Sequence, residues 1–414
     1  MAFRDLRLIM LSVEAALKLV LDHARPLAPQ QTDLGAALGR VLAEPIASDI
    51  DSPPYDKSIV DGYAIVAADS EAHGAELTVI EEVTAGALPA KTVAPGTTTR
   101  IMTGAPLPAG ANAVVMLEQT TLAGDRVRIG PSVKPGQNIM RRGTSLTRGQ
   151  VVLQPGKVLR AIEIGLLAEV GRKEVATVGL PRVAILPTGN ELVDHEQSPG
   201  PGQIRNSNGP MLVSLAIAAG AETLEVPVVP DDAEVLKDEI AGALTSDVVL
   251  LSGGVSAGVL DLVPQVLAEL GVEQVFHKVN LKPGKPLWFG MKRFPERERQ
   301  TLVFGLPGNP VSGLVCFELF VRPAIEKLSG REPRGLPRKT AVLTREHQQR
   351  GERPTYWPAV FATHSNQQTV TPLPWQGSGD LRTLTDANCL AHFPAGDRVF
   401  REGEEIEVLL LPEP

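Results

Sequence analysis

The stretch of this chain best suited to chemistry is SGGVSAGVLD at residues 252–261, which follows the apolar run VVLL. An apolar run of that length predicts a buried parallel strand. Glycines after such a strand let the backbone approach an anion, and the helix that follows offers unpaired N–H groups. The loop is therefore a candidate phosphate site, although glycines that serve only a tight strand-to-helix turn give the same pattern.

Two further loops have a similar character. KPGKP at residues 282–286 follows QVFHKVN, and LPGNP at residues 306–310 follows TLVFG. Either loop alone would be read as a solvated turn. Three such loops at strand ends suggest a single cleft, because ligands of parallel sheets bind at the carboxyl ends of the strands.

Carboxylates follow other predicted strands of the same region. Glu191 lies in TGNEL after RVAIL, the pair Asp231-Asp232 follows EVPVV, and Asp261 precedes LVPQVLAEL. Each aspartate has a purely structural alternative as a helix N-cap, whereas Glu191 in an irregular loop does not. Carboxylates can accept paired N–H groups of a heterocycle, and beside phosphates they suit Mg²⁺.

Two lysines and two separate turns complete the candidates. Lys282 and Lys285 could balance a phosphate or an inorganic oxyanion. Asp61, in PPYDKSIVDGYA, and Thr103, in RIMTGAPLP, lie in what would otherwise be ordinary turns.

The elements that must position these residues fall into four groups. Strands and helices alternate from Pro181 to about Gly330, which predicts a doubly wound α/β domain. Short strands punctuated by Pro and Gly predict a β domain over residues 52–148, inserted into a discontinuous helix and strand domain formed by residues 1–51 and 149–180. In that domain we predict one helix capped near Ser12 and another starting after Asp33. The last eighty or so residues predict a small β barrel.

Composition sets the outer limits. The 414 residues, 43% of them hydrophobic, can form two to four domains at roughly 100–200 residues each. A formal charge of −8 and a pI near 5.5 argue against nucleic acid or an anionic membrane as a partner. Cys316 and Cys389 have no CxxC spacing, and no apolar run approaches the roughly 20 residues of a membrane span, so we expect a cytoplasmic protein.

Taken in order, the motifs resemble one family over nearly the whole chain. PPYDKSIVDGYA, RIMTGAPLP, AVVMLEQ, VKPGQNI, LPTGNEL, SGGVSAGVLD, LKPGKP and LPGNPVS are together similar to MoeA, the molybdenum insertase family that includes the E domain of gephyrin. The resemblance implies the four domains above, with the α/β domain at 181–331 binding molybdopterin and the barrel at 336–414. It also implies a homodimer with the active cleft between subunits and dimer contacts in the discontinuous domain.

The resemblance also implies the reaction. Adenylylated molybdopterin and molybdate are the expected substrates, and Mg²⁺-dependent cleavage of the phosphate–AMP bond accompanies transfer of molybdenum to the dithiolene sulfurs. A molybdopterin adenylyltransferase is an expected partner that supplies the adenylylated pterin.

The residues that match the family's motifs can be grouped by expected role. The catalytic group is Asp61, Thr103, Glu191, Asp231, Asp261, Lys278 and Lys282, and the expected Mg²⁺ ligands are Asp61, Glu191 and Asp231. The pterin-binding group is Thr188, Gly189, Ser252, Gly253, Gly254, Ser256, Gly258, Pro307, Gly308 and Asn309. The molybdate group is Lys282, Lys285, Pro286, Ser312 and Ser378.

Two positions depart from the family pattern. Thr144-Ser145 stands where the family usually has Glu-Asp, and Pro358 stands where a second arginine is expected in the barrel. Arg353 or Arg382 are candidates to replace that arginine.

Two other functions remain open at this stage. A molybdopterin adenylyltransferase shares the TGNEL-type and SGGVS-type loops but is usually a single α/β domain. A non-catalytic dimeric scaffold that binds molybdopterin would tolerate the changes at Ser145 and Pro358.

Overall fold

The computed structural model describes residues 10–72, 74–254, 262–297, 299–364 and 367–412. These residues form two compact units. The larger contains the described residues up to Gln31, Gly39–Val41 and the chain from Ala176 onward, and the smaller contains Thr32–Leu38 and Leu42–Val175. Within the described ranges, no helix is long and apolar enough to cross a bilayer.

The first helix, α1, spans Val13–His23, and its start agrees with the prediction. Ser12 caps it, since the Ser12 hydroxyl accepts a hydrogen bond from the Ala15 N–H at 3.2 Å. The helix buries Val13, Ala16 and Val20 against the core of the larger unit.

The helix predicted after Asp33 is wrong. Strand β1, Pro29–Asp33, is followed only by a 3-10 turn at Leu34–Ala36, and then by strand β2, Ile46–Ala47. Tertiary hydrogen bonds compete successfully with the helix, because the Leu34 N–H donates to the Lys173 carbonyl and the Leu42 N–H to the Lys157 carbonyl. Gly39 at φ +76° also turns the chain away from helical geometry.

The predicted β segment of the smaller unit is largely a six-stranded sheet in the order β7-β4-β6-β5-β9-β8. Its strands in chain order are β3 Lys57–Ser58, β4 Gly62–Ile65, β5 Glu76–Val83, β6 Thr97–Ile101, β7 Ala113–Met116, β8 Thr120–Ala123, β9 Arg126–Ile129 and β10 Ile139–Met140. Tyr63, Val115 and Val127 are among the side chains that form its core.

After the inserted strands come β11, Val151–Leu153, helix α2, Ala161–Glu169, and β12, Glu174–Val178. Strand β11 pairs with β2, which brings the two ends of the insertion together. Helix α2 is capped at Arg160, where the Glu163 carboxylate accepts from the Arg160 backbone N–H at 2.9 Å and closes the first turn.

The α/β part of the larger unit is a six-stranded sheet in the order β16-β13-β17-β20-β19-β18. Its elements are β13 Arg182–Pro187, β14 Leu192–Val193, β15 Ile204–Arg205, α3 Asn208–Ala218, β16 Glu222–Glu225, α4 Ala233–Ala243, β17 Val248–Ser252, α5 Val263–Glu269, β18 Glu273–His277, β19 Trp288–Phe294 and β20 Arg299–Leu306. Strands β16, β13, β17 and β20 are parallel, so β13, β17 and β20 end at one edge. That edge is where the candidate loops emerge.

The helical segment after Asn309 has three parts. Helix α6, Pro310–Cys316, passes through a π-helical turn at Phe317–Val321 into helix α7, Arg322–Leu328. Pro323 lacks an N–H and cannot continue an α-helical bond pattern, which is one cause of the wider turn.

The C-terminal region is a closed barrel in the order β21-β24-β23-β25-β27, as predicted. Its elements are β21 Arg338–Leu343, β22 His347–Gln349, β23 Thr355–His364, β24 Gln367–Pro372, α8 Leu381–Leu384, β25 Cys389–Phe393, β26 Arg398–Phe400 and β27 Glu405–Leu410. One face of the barrel, with Tyr356, Leu390 and Leu409, packs into the same apolar core as α1 and α6. The barrel is therefore held firmly against the α/β sheet.

Candidate functional site

Three strand-end loops of the α/β sheet meet through their backbones. The Thr188 N–H donates to the Ser252 carbonyl at 3.0 Å, and the Gly253 N–H donates to the Leu306 carbonyl at 3.2 Å. A Cβ on Gly308 would lie only 3.7 Å from the Gly253 Cα. The loops after β13, β17 and β20 thus form one cluster, which the sequence pattern led us to expect.

The glycines of the middle loop are required by this close approach. Gly253 has φ +106°, and a Cβ there would lie 2.4 Å from the Thr188 carbonyl oxygen. Gly254 has φ +63°, and a Cβ would lie 2.9 Å from Val263. Any side chain would force the loops apart, so these two glycines are more than turn residues.

Asn208 joins the same loops and was missed by the sequence analysis. Its amide nitrogen donates to the Ser252 hydroxyl oxygen at 2.9 Å and to the Gly308 carbonyl at 2.7 Å. In the sequence Asn208 only marks the start of a predicted helix. The available signal was its place as the first residue of α3, with an amide whose two hydrogens can bridge loops.

The acidic loop lies at this edge as well. Asn190 and Asp231 are bonded to each other twice, from the Asn190 N–H to the Asp231 carboxylate at 3.3 Å and from the Asp231 N–H to the Asn190 side-chain oxygen at 3.1 Å. Gly189 has φ +146°, and a Cβ there would lie 2.6 Å from the Glu191 carboxylate. Exposed carboxylates of Glu191 and Asp231 therefore stand beside the loop that contains Thr188.

Asp232 caps a helix, which was the structural alternative considered for Asp231 and Asp232. Its carboxylate accepts hydrogen bonds from the N–H groups of Glu234 and Val235, both at 3.1 Å, and caps helix α4. Asp231 is not the N-cap, so its carboxylate remains available at the edge of the cleft.

Glu191 and Asp231 can hold Mg²⁺ only if water and substrate supply its other ligands. No group of three or more histidine, cysteine or acidic side chains that could hold a metal is present in the described ranges. Mg²⁺ commonly takes one or two carboxylates and completes its octahedron with water and substrate phosphate. Glu191 and Asp231 have the chemistry for that arrangement.

The lysine loop is fixed between the sheet and the barrel. The Lys282 N–H donates to the Pro354 carbonyl at 2.9 Å, and the Lys282 carbonyl accepts from the Tyr356 N–H at 2.8 Å. On the other side, Gly284 lies against helix α6, where a Cβ would lie 2.6 Å from the Cys316 sulfur. Lys282 is thus half-buried and its backbone is fixed on two sides.

The other members of this loop are less enclosed. Lys278 begins the loop at φ +74° and its N–H donates to the Leu287 carbonyl at 2.9 Å. Lys285 is exposed and Pro286 half-buried.

The barrel also supplies a residue directly to the start of α6. The Val311 N–H donates to the Ser378 carbonyl at 3.0 Å, which places Ser378 beside Ser312, a residue only 4% exposed. The Asn309 side-chain oxygen lies 3.9 Å from the position of a Cβ on Gly379. The loop Pro307–Asn309 is therefore shared, with Gly308 facing the glycine loops and Asn309 facing the Ser378 segment.

The structure distinguishes the two arginines named as replacements for the expected one. Arg353 donates from Nη1 to the Leu281 carbonyl at 3.2 Å and lies next to Lys282. Arg382 is exposed and paired with Asp386 at 2.6 Å. Pro358 lies on the same face of β23 as Tyr356, two residues apart, so the position faces the α/β core without a charge.

His347 is a buried neighbour of Lys282, and its pKa is low. Burial, followed by the charges of Lys282 and Arg345, lowers the pKa of His347 to about 4. His347 stacks on Phe393 at 3.9 Å and is neutral at physiological pH. The charges of Lys282 and Arg345 are therefore close enough to His347 to add to the effect of burial.

Asp61 and Thr103 form a hydrogen-bonded pair in the smaller unit. One Asp61 oxygen accepts from both the Thr103 N–H and the Thr103 hydroxyl, each at 2.7 Å. The backbone bond first and the hydroxyl second hold the pKa of Asp61 below its usual value. Gly62 is required here, because a Cβ would lie 1.9 Å from the Val115 carbonyl oxygen.

The remaining expectations fall in two places. Thr144 and Ser145 lie in a turn in which the Ser145 N–H donates to the Ser52 carbonyl at 2.9 Å, and neither side chain supplies a carboxylate. Ser256, Gly258 and Asp261 lie outside the described residues.

Three family models together match most of the chain. They are the MoeA N-terminal region, domains I and II, at residues 11–171, the probable molybdopterin binding domain at 184–327, and the MoeA C-terminal region, domain IV, at 340–411. The order of these matches follows the order of the observed sheets and barrel.

Relatives and solved structures agree with those models. A molybdopterin molybdenumtransferase of Nostoc sp. is 38% identical over 92% of this chain and 88% of its own length, and one of Staphylococcus aureus is 33% identical over 96% and 95%. The crystal structure of a molybdopterin biosynthesis MoeA protein from Pyrococcus horikoshii has a TM-score of 0.82 and 32% identity, covering 98% of this chain and all of that one. The chain therefore belongs to the MoeA family.

Proposed function

We propose that this chain transfers molybdenum from molybdate to adenylylated molybdopterin and releases AMP. Molybdenum transfer in molybdenum cofactor biosynthesis follows from family membership. The observation that carries the substrate assignment is the meeting of three strand-end loops, two of them rich in glycine, together with a lysine loop that lies against helix α6.

The glycine loops are suited to a phosphate. The Thr188 hydroxyl lies 3.2 Å from the position of a Cβ on Gly253 and on Gly254, and the Ser252 hydroxyl directly precedes these glycines, so two hydroxyls adjoin the glycine loops. Preorganised donors of this kind hold a phosphate through charge-assisted hydrogen bonds. We assign the pterin phosphate to them, with Gly189, Pro307 and Asn309 forming the rim.

The neighbouring residues are suited to molybdate. Lys282 and Lys285 supply two cations, Ser312 and Ser378 supply two hydroxyls, and Pro286 follows Lys285 in the same loop. Arg353 adds a third cation next to Lys282 and replaces the arginine absent at position 358. Because Asn309 contacts the Ser378 segment while Gly308 contacts the glycine loops, the two substrates would lie side by side.

Glu191 and Asp231 would hold Mg²⁺ when it is bound, and the ion would neutralise charge on the phosphoanhydride oxygens. Glu191, through its position over Gly189, keeps a negative charge at the mouth of the cleft. Lys278 and Lys282 orient the oxyanions. Asp61 and Thr103 are proposed as a further catalytic pair.

The two alternative functions are not favoured. Relatives named molybdopterin molybdenumtransferase match over nearly the full length of the chain, rather than over the α/β domain alone. The Lys282 loop also offers a cationic place for a second substrate, which a non-catalytic scaffold does not need.

Replacement of Lys282 tests the molybdate assignment. In Lys282→Met, the molybdate concentration that gives half-maximal AMP release should rise at least about tenfold, because a charge-assisted hydrogen bond of about 1.5–3 kcal/mol is lost. Exposed Lys339 on β21 provides the control, since Lys339→Met removes a charge from the barrel surface. An unchanged molybdate dependence of Lys282→Met would remove this loop from the site.

A further inference from the structure

Asn208 is the first residue of α3 and is bonded to two loops that belong to different strands. Its amide nitrogen donates to the Ser252 hydroxyl oxygen at 2.9 Å and to the Gly308 carbonyl at 2.7 Å. A carbonyl oxygen only accepts, so the atom that faces Gly308 must be the nitrogen, which fixes the orientation of the amide. One hydrogen of the amide is thus committed to each loop.

These bonds leave Ser252 in a defined state. Its oxygen accepts from Asn208, so its own hydroxyl hydrogen is not used in that bond. Ser252 is only 3% exposed, and its backbone is fixed by the bond from Thr188 at 3.0 Å. The hydroxyl hydrogen can be donated to an anion in the cluster of glycine loops.

The side-chain oxygen of Asn208 does not join any loop. Its Oδ1 is enclosed and accepts no hydrogen bond within the part of the chain that the structure describes. A buried acceptor without a donor is unfavourable. The side chain therefore keeps this orientation for its two donor bonds, and those bonds indicate its purpose.

We propose that Asn208 is a positioning residue, which joins the loops after β17 and β20 and directs the Ser252 hydroxyl as a donor to the phosphate of the bound pterin. The identity of the ligand rests on the proposed function. The joining of the two loops is a property of the protein alone and can be measured without a ligand.

The variant Asn208→Asp tests the proposal with almost no change of shape. A carboxylate faces the Gly308 carbonyl with a repulsive contact and accepts from Ser252, which turns the hydroxyl hydrogen inward. The dissociation constant of adenylylated molybdopterin should rise at least about tenfold, while AMP release at saturating substrate falls less than about threefold. Ser207→Ala is the control, because exposed Ser207 is at the same end of α3 and makes no capping bond.

A double-mutant cycle shows whether Asn208 acts through Ser252. Ser252→Ala, Asn208→Asp and the double variant are compared by the same dissociation constant. The double variant should bind about as weakly as the weaker single variant, because both changes remove one donor. Losses that simply multiply would overturn the proposal, as would loss of thermal stability in Asn208→Asp with an unchanged dissociation constant.

Amide hydrogen exchange of the ligand-free protein separates this inference from the proposed function. Asn208→Asp should speed exchange in residues 252–254 and 306–309 by about tenfold or more, while Ser207→Ala leaves both segments unchanged. Unchanged protection would overturn the joining role. If the unsubstituted protein does not bind adenylylated molybdopterin, the proposed ligand is wrong, and the exchange result still decides whether Asn208 joins the loops.

Discussion

Asp61 keeps its negative charge because Thr103 donates two hydrogen bonds to one of its oxygens, each at 2.7 Å. These bonds favour the ionised form and lower the pKa of Asp61, so the group is charged throughout the neutral range. The second oxygen has no side-chain partner among the described residues and is free to act on substrate or cation. A carboxylate fixed by one oxygen in this way is pre-oriented for such a role.

Asp61→Asn should lower the rate of AMP release by about 100-fold or more, with little change in the affinity for molybdopterin. The substitution removes charge and keeps shape, so an effect on turnover rather than binding identifies a catalytic role. Asp125→Asn, in the exposed turn between β8 and β9, is the matched control within the same sheet. Equal turnover by Asp61→Asn and the control would remove Asp61 from the catalytic group.

Single residues were predicted from the sequence unevenly. The need for Gly253 and Gly254 was expected from the loop pattern, and the structure gives the reason in the distances to Thr188 and Val263. Asn208 was missed because its partners, Ser252 and Gly308, are 44 and 100 residues away. Local patterns report strands, turns and caps, whereas a side-chain bridge between loops depends on the tertiary fold.

At the scale of elements, alternation of strands and helices predicted the α/β sheet correctly, and strand patterns without helical periodicity predicted the barrel correctly. The helix after Asp33 failed, because its backbone donors bond to Lys173 and Lys157 rather than to the helix itself. The π-helical turn at Phe317–Val321 also had no signal in the apolar pattern, since burial there continues on every residue. Both misses arise where tertiary contacts override local propensity.

The barrel carries a pH dependence that comes from His347. Its pKa is lowered to about 4, so between that value and about 6.5 the unfolded chain binds a proton that the folded barrel excludes. Stability should therefore fall as the pH drops from 7 to 5, by up to about 2 kcal/mol. Denaturant unfolding at several pH values measures the effect.

In His347→Phe this part of the pH dependence should disappear, because a phenyl ring can stack on Phe393 without titrating. His364→Gln, at the exposed end of β23, is the control and should retain the full dependence. A His347→Phe protein that loses as much stability between pH 7 and 5 as the parent would show that His347 is not the group responsible.

At the scale of the whole molecule, the smaller unit has several exposed large apolar side chains on and near α2. We define the α2 patch by Leu38, Val151, Val158 and Ile162, whose exposed fractions are 64%, 48%, 38% and 72%. Several exposed large apolar residues in one region are a common feature of interfaces between chains. We propose that a second copy of this chain covers the patch, in line with the homodimer implied by the family resemblance.

Ile162→Glu should convert the dimer to a monomer. Sedimentation equilibrium should give twice the chain mass of 44.1 kDa for the parent and the single mass for the variant, since a buried unpaired carboxylate is costly. Leu88→Glu changes an equally exposed residue, 78% accessible, in the loop after β5, and should remain dimeric. A parent protein that sediments as a monomer would refute the proposed dimer.

The central claim is metal insertion, and one experiment tests it most directly. The purified protein is given adenylylated molybdopterin, Mg²⁺ and molybdate, and AMP release is followed together with protein-bound molybdenum. Molybdate-dependent AMP release, with one molybdenum retained for each AMP, is the predicted result and would show that Ser145 and Pro358 are compatible with activity. Tight binding of the pterin without either product would contradict the claim and favour a non-catalytic scaffold.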